Sequence, residues 1–217
     1  MGLMAKDNGG GDFKLAPPGA HIAVCDMVVD IGLQPNNFYN KQPKHKVYLR
    51  WQLPHERLEF TKDNIQHNVP MSVGATLTVS LSKKAVLRGF LESWRGRPFT
   101  DEELKGFDLF TIIGVPCQVN IMHEVSGDKT YANVTAIMPL PKGMTKPVIE
   151  GKTIKYSPDD PGQLNDVPEW LRKKIAAAIK PEDLDDKVEQ SRKDFSNGGG
   201  ALDSDDIPFG SYDDRTV

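Results

Sequence analysis

Apolar and polar residues alternate most regularly in residues 46–53. One side of this stretch carries Val47, Leu49, Trp51 and Leu53, and the other carries Lys46, Tyr48, Arg50 and Gln52. Successive side chains of a β-strand point to opposite faces of its sheet. The pattern therefore predicts a strand with one side in the core and a second, basic and aromatic side in water.

Four other stretches have the composition and spacing of strands, namely residues 21–31, 70–82, 115–125 and 129–140. In the first of them the apolar phase shifts near Asp26, which predicts a β-bulge that bends the strand. Residues 56–62 are predicted to extend the sheet at an edge. Residues 126–128, Ser-Gly-Asp, are typical of a tight turn, so the last two strands are predicted to form an antiparallel hairpin.

Helical spacing separates the third predicted strand from the fourth. The apolar positions of this helix are Val86, Leu87, Phe90, Leu91 and Trp94. We expect Ser82 to cap its start and Gly96 to end it. Residues 100–103, Thr-Asp-Glu-Glu, match a capping box and predict a further short helical turn.

Three strands, a helix and a two-stranded hairpin thus follow one another within residues 14–143. This is the element order of the OB-fold, a five-stranded Greek-key barrel with a helix between strands 3 and 4, so the predicted class is mainly β. A sandwich is expected to have more strands and no such helix. Residues 144–165 contain Pro and Gly and are predicted to be a linker.

The chain beyond the predicted barrel divides into a helix and an acidic end. Residues 166–180 predict an additional C-terminal helix, capped by Asp166, that packs on the barrel or on a second copy; its apolar stripe is Trp170, Leu171, Ile175 and Ile179. Residues 1–13 and 181–217 are predicted to be disordered. Residues 181–217 hold 11 acidic and 4 basic residues, which leaves 23 basic and 19 acidic residues before them. This asymmetry suits one partner with phosphates and another with basic pockets.

The sequence lacks the motifs of common enzymes. The five His residues are scattered, and neither a Gly-rich phosphate loop nor a nucleophile elbow occurs. Cys25 and Cys117 are too few for a disulfide framework and are predicted to be buried thiols. We therefore expect no catalytic residue, no metal and no cofactor, and we prefer a binding module to an enzyme. The absence of a signal-like or membrane-length apolar run predicts a cytoplasmic protein without membrane contact.

Basic and aromatic residues gather on the outer side of the second strand and in the loop before it. Single strands are bound by cations that follow the phosphates and by rings on which bases stack. The predicted residues for single-stranded DNA are Phe38, Tyr39, Lys41, Lys44, Lys46, Tyr48, Arg50 and, on the last hairpin turn, Lys129. An exposed sheet face without a ligand, or a loop packed on the barrel rim, are open alternatives. A second cluster is typical of a solvated helix face, with a phosphate track as the alternative: Lys83, Lys84, Arg88, Arg95 and Arg97.

The acidic end carries an apolar hook behind the Gly-rich residues 196–200. The predicted partner-binding residues are Asp203, Asp205, Asp206, Ile207, Pro208 and Phe209. Residues 205–209, Asp-Asp-Ile-Pro-Phe, resemble the acidic tip of bacterial single-stranded-DNA-binding proteins, which recruits replication and repair enzymes. In that family Phe is the last residue. Here residues 210–217 follow it, which either weakens the hook or leaves Asp213 and Asp214 to replace the missing terminal carboxylate.

Residues 91–109 and 129–134 resemble segments of small phage proteins of the replication module. This similarity covers about residues 20–143 and implies a phage single-stranded-DNA-binding protein in the host cytoplasm. We expect it to bind and protect single strands without sequence preference during replication, recombination and repair, while its tail recruits a helicase, primase, polymerase or nuclease. Deleting residues 195–217 is expected to tighten DNA binding, because the tail competes for the basic groove. The alternative is an OB-like adaptor or structural protein that binds another protein and no nucleic acid.

Overall fold

The computed structural model describes residues 14–36 and 41–180, and they form a mainly β structure, as predicted. The strands are β1 (Gly19–Asn36), β2 (Lys41–Lys62), β3 (Ile65–Thr78), β4 (Pro116–Ser126), β5 (Lys129–Pro139) and β6 (Ile154–Tyr156). The helices are α1 (Val86–Arg95), α2 (Asp101–Lys105) and α3 (Glu169–Ala176), with 3-10 helices at Leu109–Ile112 and Pro161–Asp166. The described residues up to Ile179 belong to one compact unit. The predicted arm, residues 1–13, and the predicted tail, residues 181–217, lie outside the described residues.

One sheet contains all of these strands, in the order β3-β2-β1-β4-β5, and neighbours in this order are antiparallel. The long strand β1 organises it, because it pairs with β2 from Val24 onward and with β4 only up to Val24. The short strand β6 pairs in parallel with residues 27–29 of β1. Since β2 occupies one edge of β1 there, β6 lies on the edge that β4 leaves free.

The predicted bulge at Asp26 is confirmed by a register shift between Cys25 and Met27 in the pairing of β1 with β2. The bulge leaves both faces of β1 covered by apolar side chains. Ala23, Cys25 and Val28 join the main core, whereas Met27, Val29 and Ile31 join a second apolar cluster. A strand buried on both faces reads as a nearly continuous apolar run, as residues 22–31 do.

The main core lies between the sheet and α1. Trp51 of β2 and Trp94 of α1 are buried in it, with ring centroids 6.1 Å apart. The helix ends at Gly96, whose φ of 66° is in the left-handed region, so the predicted stop is confirmed. The predicted cap at Ser82 is wrong, because the helix starts after Ala85 without a side-chain cap.

The predicted capping box is confirmed at the start of α2. The Thr100 hydroxyl accepts from the backbone N–H of Glu103, and the Glu103 carboxylate accepts from the backbone N–H of Thr100. The same carboxylate also accepts from Arg97 and Arg95. These donors, Arg97 first and the Thr100 amide second, hold the pKa of Glu103 well below its usual range.

The second apolar cluster forms where the C-terminal segment of the described chain packs on β1. Its buried members are Met27, Val29, Ile31, Ile154, Tyr156, Val167 and Leu171. The predicted linker, residues 144–165, is wrong in part, since it contributes β6 and the start of a 3-10 helix. The cap predicted at Asp166 is also wrong, because α3 starts after Pro168 without a side-chain cap. That this helix packs on the sheet is confirmed by Leu171, which is fully buried against β1.

Beyond Leu53, β2 and β3 continue as a two-stranded ribbon, which confirms the predicted edge extension. The ribbon turns at Asp63 and Asn64, both with positive φ, as a two-residue hairpin turn requires. Its exposed apolar side chains include Phe60, Ile65 and Val69. The hairpin predicted between the last two strands is likewise confirmed, with Ser126 opposite Lys129.

Candidate nucleic-acid interface

The outer face of β2 lies next to a row of small residues on β3. The cross-strand pairs are Lys46 with Thr78, Tyr48 with Thr76, Arg50 with Gly74, and Gln52 with Ser72. Directly opposed side chains share one face of a sheet. Long basic and aromatic side chains from β2 therefore extend over a low, hydroxyl-rich surface on β3.

A groove of about 450 Å³ opens where this face meets the segment between β3 and α1. We call it the lysine groove; its lining residues are Lys44, Lys46, Thr76, Leu77, Thr78, Ser80, Ser82, Lys84, Ala85 and Val86. Among these described residues, three are cations and none is an acid. Ammonium groups surrounded by hydroxyl donors can bind phosphate oxygens, so the groove is suited to an anionic chain.

Lys46 is the most constrained of the three cations. Its Nζ donates to Thr78 Oγ1 at 2.8 Å, which holds the ammonium over β3. Burial, and then the positive charge of Lys44, lower the pKa of Lys46. Both causes disfavour the charged form, whereas the negative charge of a bound phosphate would favour it. The site is therefore electrostatically prepared for an anion.

Tyr48 departs from the predicted water-facing side of β2. Its ring lies 5.0 Å from that of Trp170 on α3, edge to face, and burial raises the pKa of the Tyr48 hydroxyl. The expectation that this side is fully wet is wrong here, because the C-terminal segment covers it. Tyr48 instead forms the boundary between the second apolar cluster and the lysine groove, which its neighbour Thr76 lines.

The Tyr48 ring extends over Gly74, where a Cβ atom would come within 3.0 Å of three ring and hydroxyl atoms. We expect Gly74→Ala to lower the free energy of unfolding by about 1–3 kcal/mol, as overpacking does. In a Tyr48→Ala background the same change should be neutral or stabilising, because Gly is unfavourable in a strand. Urea unfolding of the four proteins of this double-mutant cycle measures the coupling.

Gly89→Ala is the control for that cycle, since a Cβ there meets nothing within 4 Å. It replaces Gly inside α1 and is expected to raise stability by about 0.5–1 kcal/mol. Equal costs of Gly74→Ala with and without Tyr48 would contradict the packing of Tyr48 on β3.

Arg50 also has a partner within the chain. Its Nε and Nη2 donate to the two carboxylate oxygens of Asp26 at 3.0 and 2.7 Å. The Asp26 side chain is 0% exposed and that of Arg50 is 24% exposed. The bulge turns the Asp26 carboxylate onto the outer face, and a buried carboxylate requires a paired cation. Arg50 is thus committed to an ion pair at the place where we predicted a phosphate contact.

Gln52 connects this ion pair to the C-terminal segment. Its Nε2 donates to Asp26 Oδ2 at 2.9 Å and to the carbonyl of Glu150 at 2.8 Å. The backbone N–H of Glu150 donates to Gln52 Oε1 at 2.9 Å, and Arg57 pairs with the Glu150 carboxylate. The segment around Glu150 is therefore attached to the outer face of β2 by both its backbone and its side chain.

The structure brings together only part of the predicted set. Lys44 and Lys46 share the lysine groove, whereas Tyr48 and Arg50 contact Trp170 and Asp26. Lys129 is exposed beside the Gly127–Asp128 turn and is not in the groove lining. Outside the described residues lie Phe38, Tyr39, the Lys41 side chain and all of the tail residues, Asp203, Asp205, Asp206, Ile207, Pro208 and Phe209.

The second basic cluster separates into two kinds of residue. Arg88 pairs with Glu92, and Arg95 and Arg97 pair with Glu103, so these three guanidinium groups belong to local ion pairs. Lys84 lines the lysine groove instead. The sequence analysis grouped Lys84 with the helix-face cations, although its position before the helix, in the connection from β3, could have set it apart.

Residues of β3 were also missed by the sequence prediction. Thr76 and Thr78 line the groove, and their alternation with apolar residues was interpreted only as a strand pattern. The opposed register of β2 and β3 makes these hydroxyls neighbours of Tyr48 and Lys46. That register depends on the ribbon turn at residues 63–64, which the sequence prediction did not include.

Within residues 14–36 and 41–180, no three His, Cys, Asp or Glu side chains are arranged to hold a metal ion. None of the helices in the described ranges has the length and apolar character needed to cross a membrane. The lysine groove is therefore the feature from which we develop a function.

The two cysteines are buried, as predicted, in the paired strands β1 and β4. Burial is the main cause that raises the pKa of Cys25 to about 12, and burial followed by the charge of Cys25 raises the pKa of Cys117. We expect neither thiol to react with a disulfide reagent at pH 8 in the native protein, because the thiolate is the nucleophile. Both should react in urea, and native reactivity would contradict the packing of β1 on β4.

Comparison with known proteins adds no family to this geometry. No protein-family model matches the chain, and the search of curated proteins found no match either.

Proposed function

We propose that the protein binds single-stranded DNA without sequence preference through the lysine groove. The single observation that carries this proposal is the convergence of Lys44, Lys46 and Lys84 on a hydroxyl-lined groove with no acid among its described lining residues. Such a groove can follow a sugar-phosphate backbone without reading bases. A small-molecule ligand is less suited to it, because such ligands bind in enclosed, mostly apolar pockets and this groove is open and polar.

The sheet topology supports an OB-fold for this protein. The order β3-β2-β1-β4-β5, with α1 between β3 and β4, is compatible with a five-stranded Greek-key barrel. Residues of β3 and β5, at the two ends of that order, come within 8 Å of each other, as closure requires. OB-folds bind oligonucleotides on the face formed by strands 2 and 3. The lysine groove lies at the end of that face.

A role in phage replication, recombination or repair follows from the resemblances in the sequence and is part of this proposal. The acidic residues 205–209 would recruit partner enzymes, and the overall charge division supports two partners of opposite charge. Deleting residues 195–217 should then tighten DNA binding. Unchanged or weaker binding by the shortened chain would contradict competition between the tail and the groove.

The proposal is tested by fluorescence anisotropy with labelled oligo-dT over a series of salt concentrations. We expect binding whose log K falls linearly with log salt concentration, with a slope of about −0.7 for each phosphate neutralised. A duplex of the same length is the competitor control and should bind more weakly. No binding at low salt, or binding that ignores salt, would overturn the proposal.

A second candidate is an adaptor that binds another protein through the β2–β3 ribbon. The observation that favours it is the exposure of Phe60, Ile65 and Val69 on a hairpin extending past Leu53. Exposed apolar residues on one hairpin are typical of a docking surface. The ribbon is tested by replacing Phe60 and Ile65 with Ser. If this variant still binds oligo-dT, the ribbon has a role other than DNA binding.

A further inference from the structure

Trp170 differs from the other two tryptophans of the chain. Trp51 and Trp94 are 0% and 5% exposed, whereas Trp170, on the solvent side of α3, is 46% exposed. A single exposed ring is common on protein surfaces, so the exposure of Trp170 is informative only together with its neighbours. The exposed part of the indole is accessible to a ligand.

The helix α3 is anchored to the sheet by residues other than Trp170. Leu171 is fully buried against β1, and Ile175 packs on the same apolar cluster one turn later. Residues four apart lie on one face of a helix, so Leu171 and Ile175 define the face that binds the sheet. Trp170 is displaced from that face, and its ring meets the Tyr48 ring of β2 edge to face.

Tyr48 connects Trp170 to the lysine groove. The two rings meet edge to face, with centroids 5.0 Å apart and planes at 90°. Tyr48 is itself held over Gly74, and its cross-strand neighbour Thr76 lines the groove. Trp170 is thus connected to the groove lining through Tyr48 and Thr76, and the contact with Tyr48 restrains the indole. A restrained ring loses little entropy when a base stacks on it.

A cation lies beside the exposed indole. The Nζ of Lys174, one turn along α3, is 5.3 Å from the centre of the Trp170 ring. Lys174 is exposed, so its ammonium can move from the ring to a phosphate when a base takes its place. An aromatic ring with an adjacent cation is the pairing used to bind one nucleotide of a single strand.

We propose that Trp170 is a base-stacking residue, so that a single strand passes from the lysine groove over Tyr48 onto α3, where Lys174 contacts its phosphate. This inference rests on the proposed function and deepens it, because it adds the C-terminal helix to the DNA-binding surface. The ligand class is a single-stranded oligonucleotide. Tyr48 is a positioning residue for the indole.

The test is a titration of the full chain with oligo-dT, read by tryptophan emission and by the anisotropy of a label on the DNA. Stacking on a base quenches indole emission, and Trp51 and Trp94 are shielded from such contact. We expect quenching in the unaltered protein. Trp170→Phe should remove the quenching, keep a ring for stacking and lower affinity only a few-fold, whereas Trp170→Ala should lower affinity about 5-fold to 150-fold.

The two readouts separate this inference from the proposed function. Binding by anisotropy without any quenching, or with full affinity in Trp170→Ala, would overturn the role of Trp170 and leave the groove proposal intact. Absence of binding in the unaltered protein would overturn both. The melting temperature of each variant is measured alongside, and Trp170→Phe keeps the inference testable if Trp170→Ala does not fold.

Discussion

Replacing Lys44, Lys46 and Lys84 together by Ala is expected to weaken oligo-dT binding about 500-fold at 50 mM salt, on a counterion-release estimate that takes 1 M salt as the reference. Each lysine that neutralises a phosphate displaces condensed counterions, and all three face one groove. The slope of log K against log salt concentration should become shallower by about 2, since single strands give about 0.7 for each contact. Anisotropy titrations at four or more salt concentrations measure both quantities.

The matched control replaces Lys105, Lys142 and Lys146, which are exposed and do not line the groove. It removes the same charge, so any effect of net charge alone appears equally in both triple variants. The control should keep nearly the full salt slope. Equal losses in the two variants would show that binding follows overall charge, and would contradict a path through the lysine groove.

Arg50→Ala is expected to lower the free energy of unfolding by about 3–5 kcal/mol, because it leaves the Asp26 carboxylate buried without its cation. For a chain of this size that corresponds to a fall in melting temperature of roughly 6–20 °C. Gln52 can still donate to Asp26, but one neutral amide does not replace a bidentate guanidinium. Urea unfolding and thermal melts followed by circular dichroism measure the loss.

Lys105→Ala is the control for Arg50→Ala, since it breaks an exposed ion pair with Glu102. Such pairs contribute about 0–1 kcal/mol, so the control should unfold almost as the unaltered protein does. The double variant Asp26→Val with Arg50→Met should recover much of the loss, because it removes both charges. Similar stabilities for Arg50→Ala and Lys105→Ala would contradict the buried ion pair.

Alternation along the chain predicted the five main strands, the bulge and the last hairpin, because each depends on local spacing. Strand β6 was missed for a physical reason. It has three residues, and what holds Ile154 and Tyr156 in place is the apolar face of β1 that the bulge turns outward. A short strand that forms only against a distant partner leaves no periodic pattern of its own.

Of the residues that line the lysine groove, the sequence prediction included only two lysines. Lys44 and Lys46 lie in a groove, as a basic loop and strand suggested. The same reasoning was insufficient for Tyr48 and Arg50, because alternation identifies the non-core side of a strand and does not show whether another segment covers it. Here residues 150–171 cover that side at Gln52 and Tyr48, through Glu150 and Trp170.

Because β6 pairs in parallel with β1, the folded unit extends beyond the predicted end of the barrel. A chain cut after residue 143, at the predicted barrel boundary, would present Met27, Val29 and Ile31 to water and leave a bare edge on β1. An uncovered apolar edge strand is a template for intermolecular pairing. A shortened chain meant to avoid such pairing must therefore keep the residues through Ile179, whose backbone bridges to Leu33.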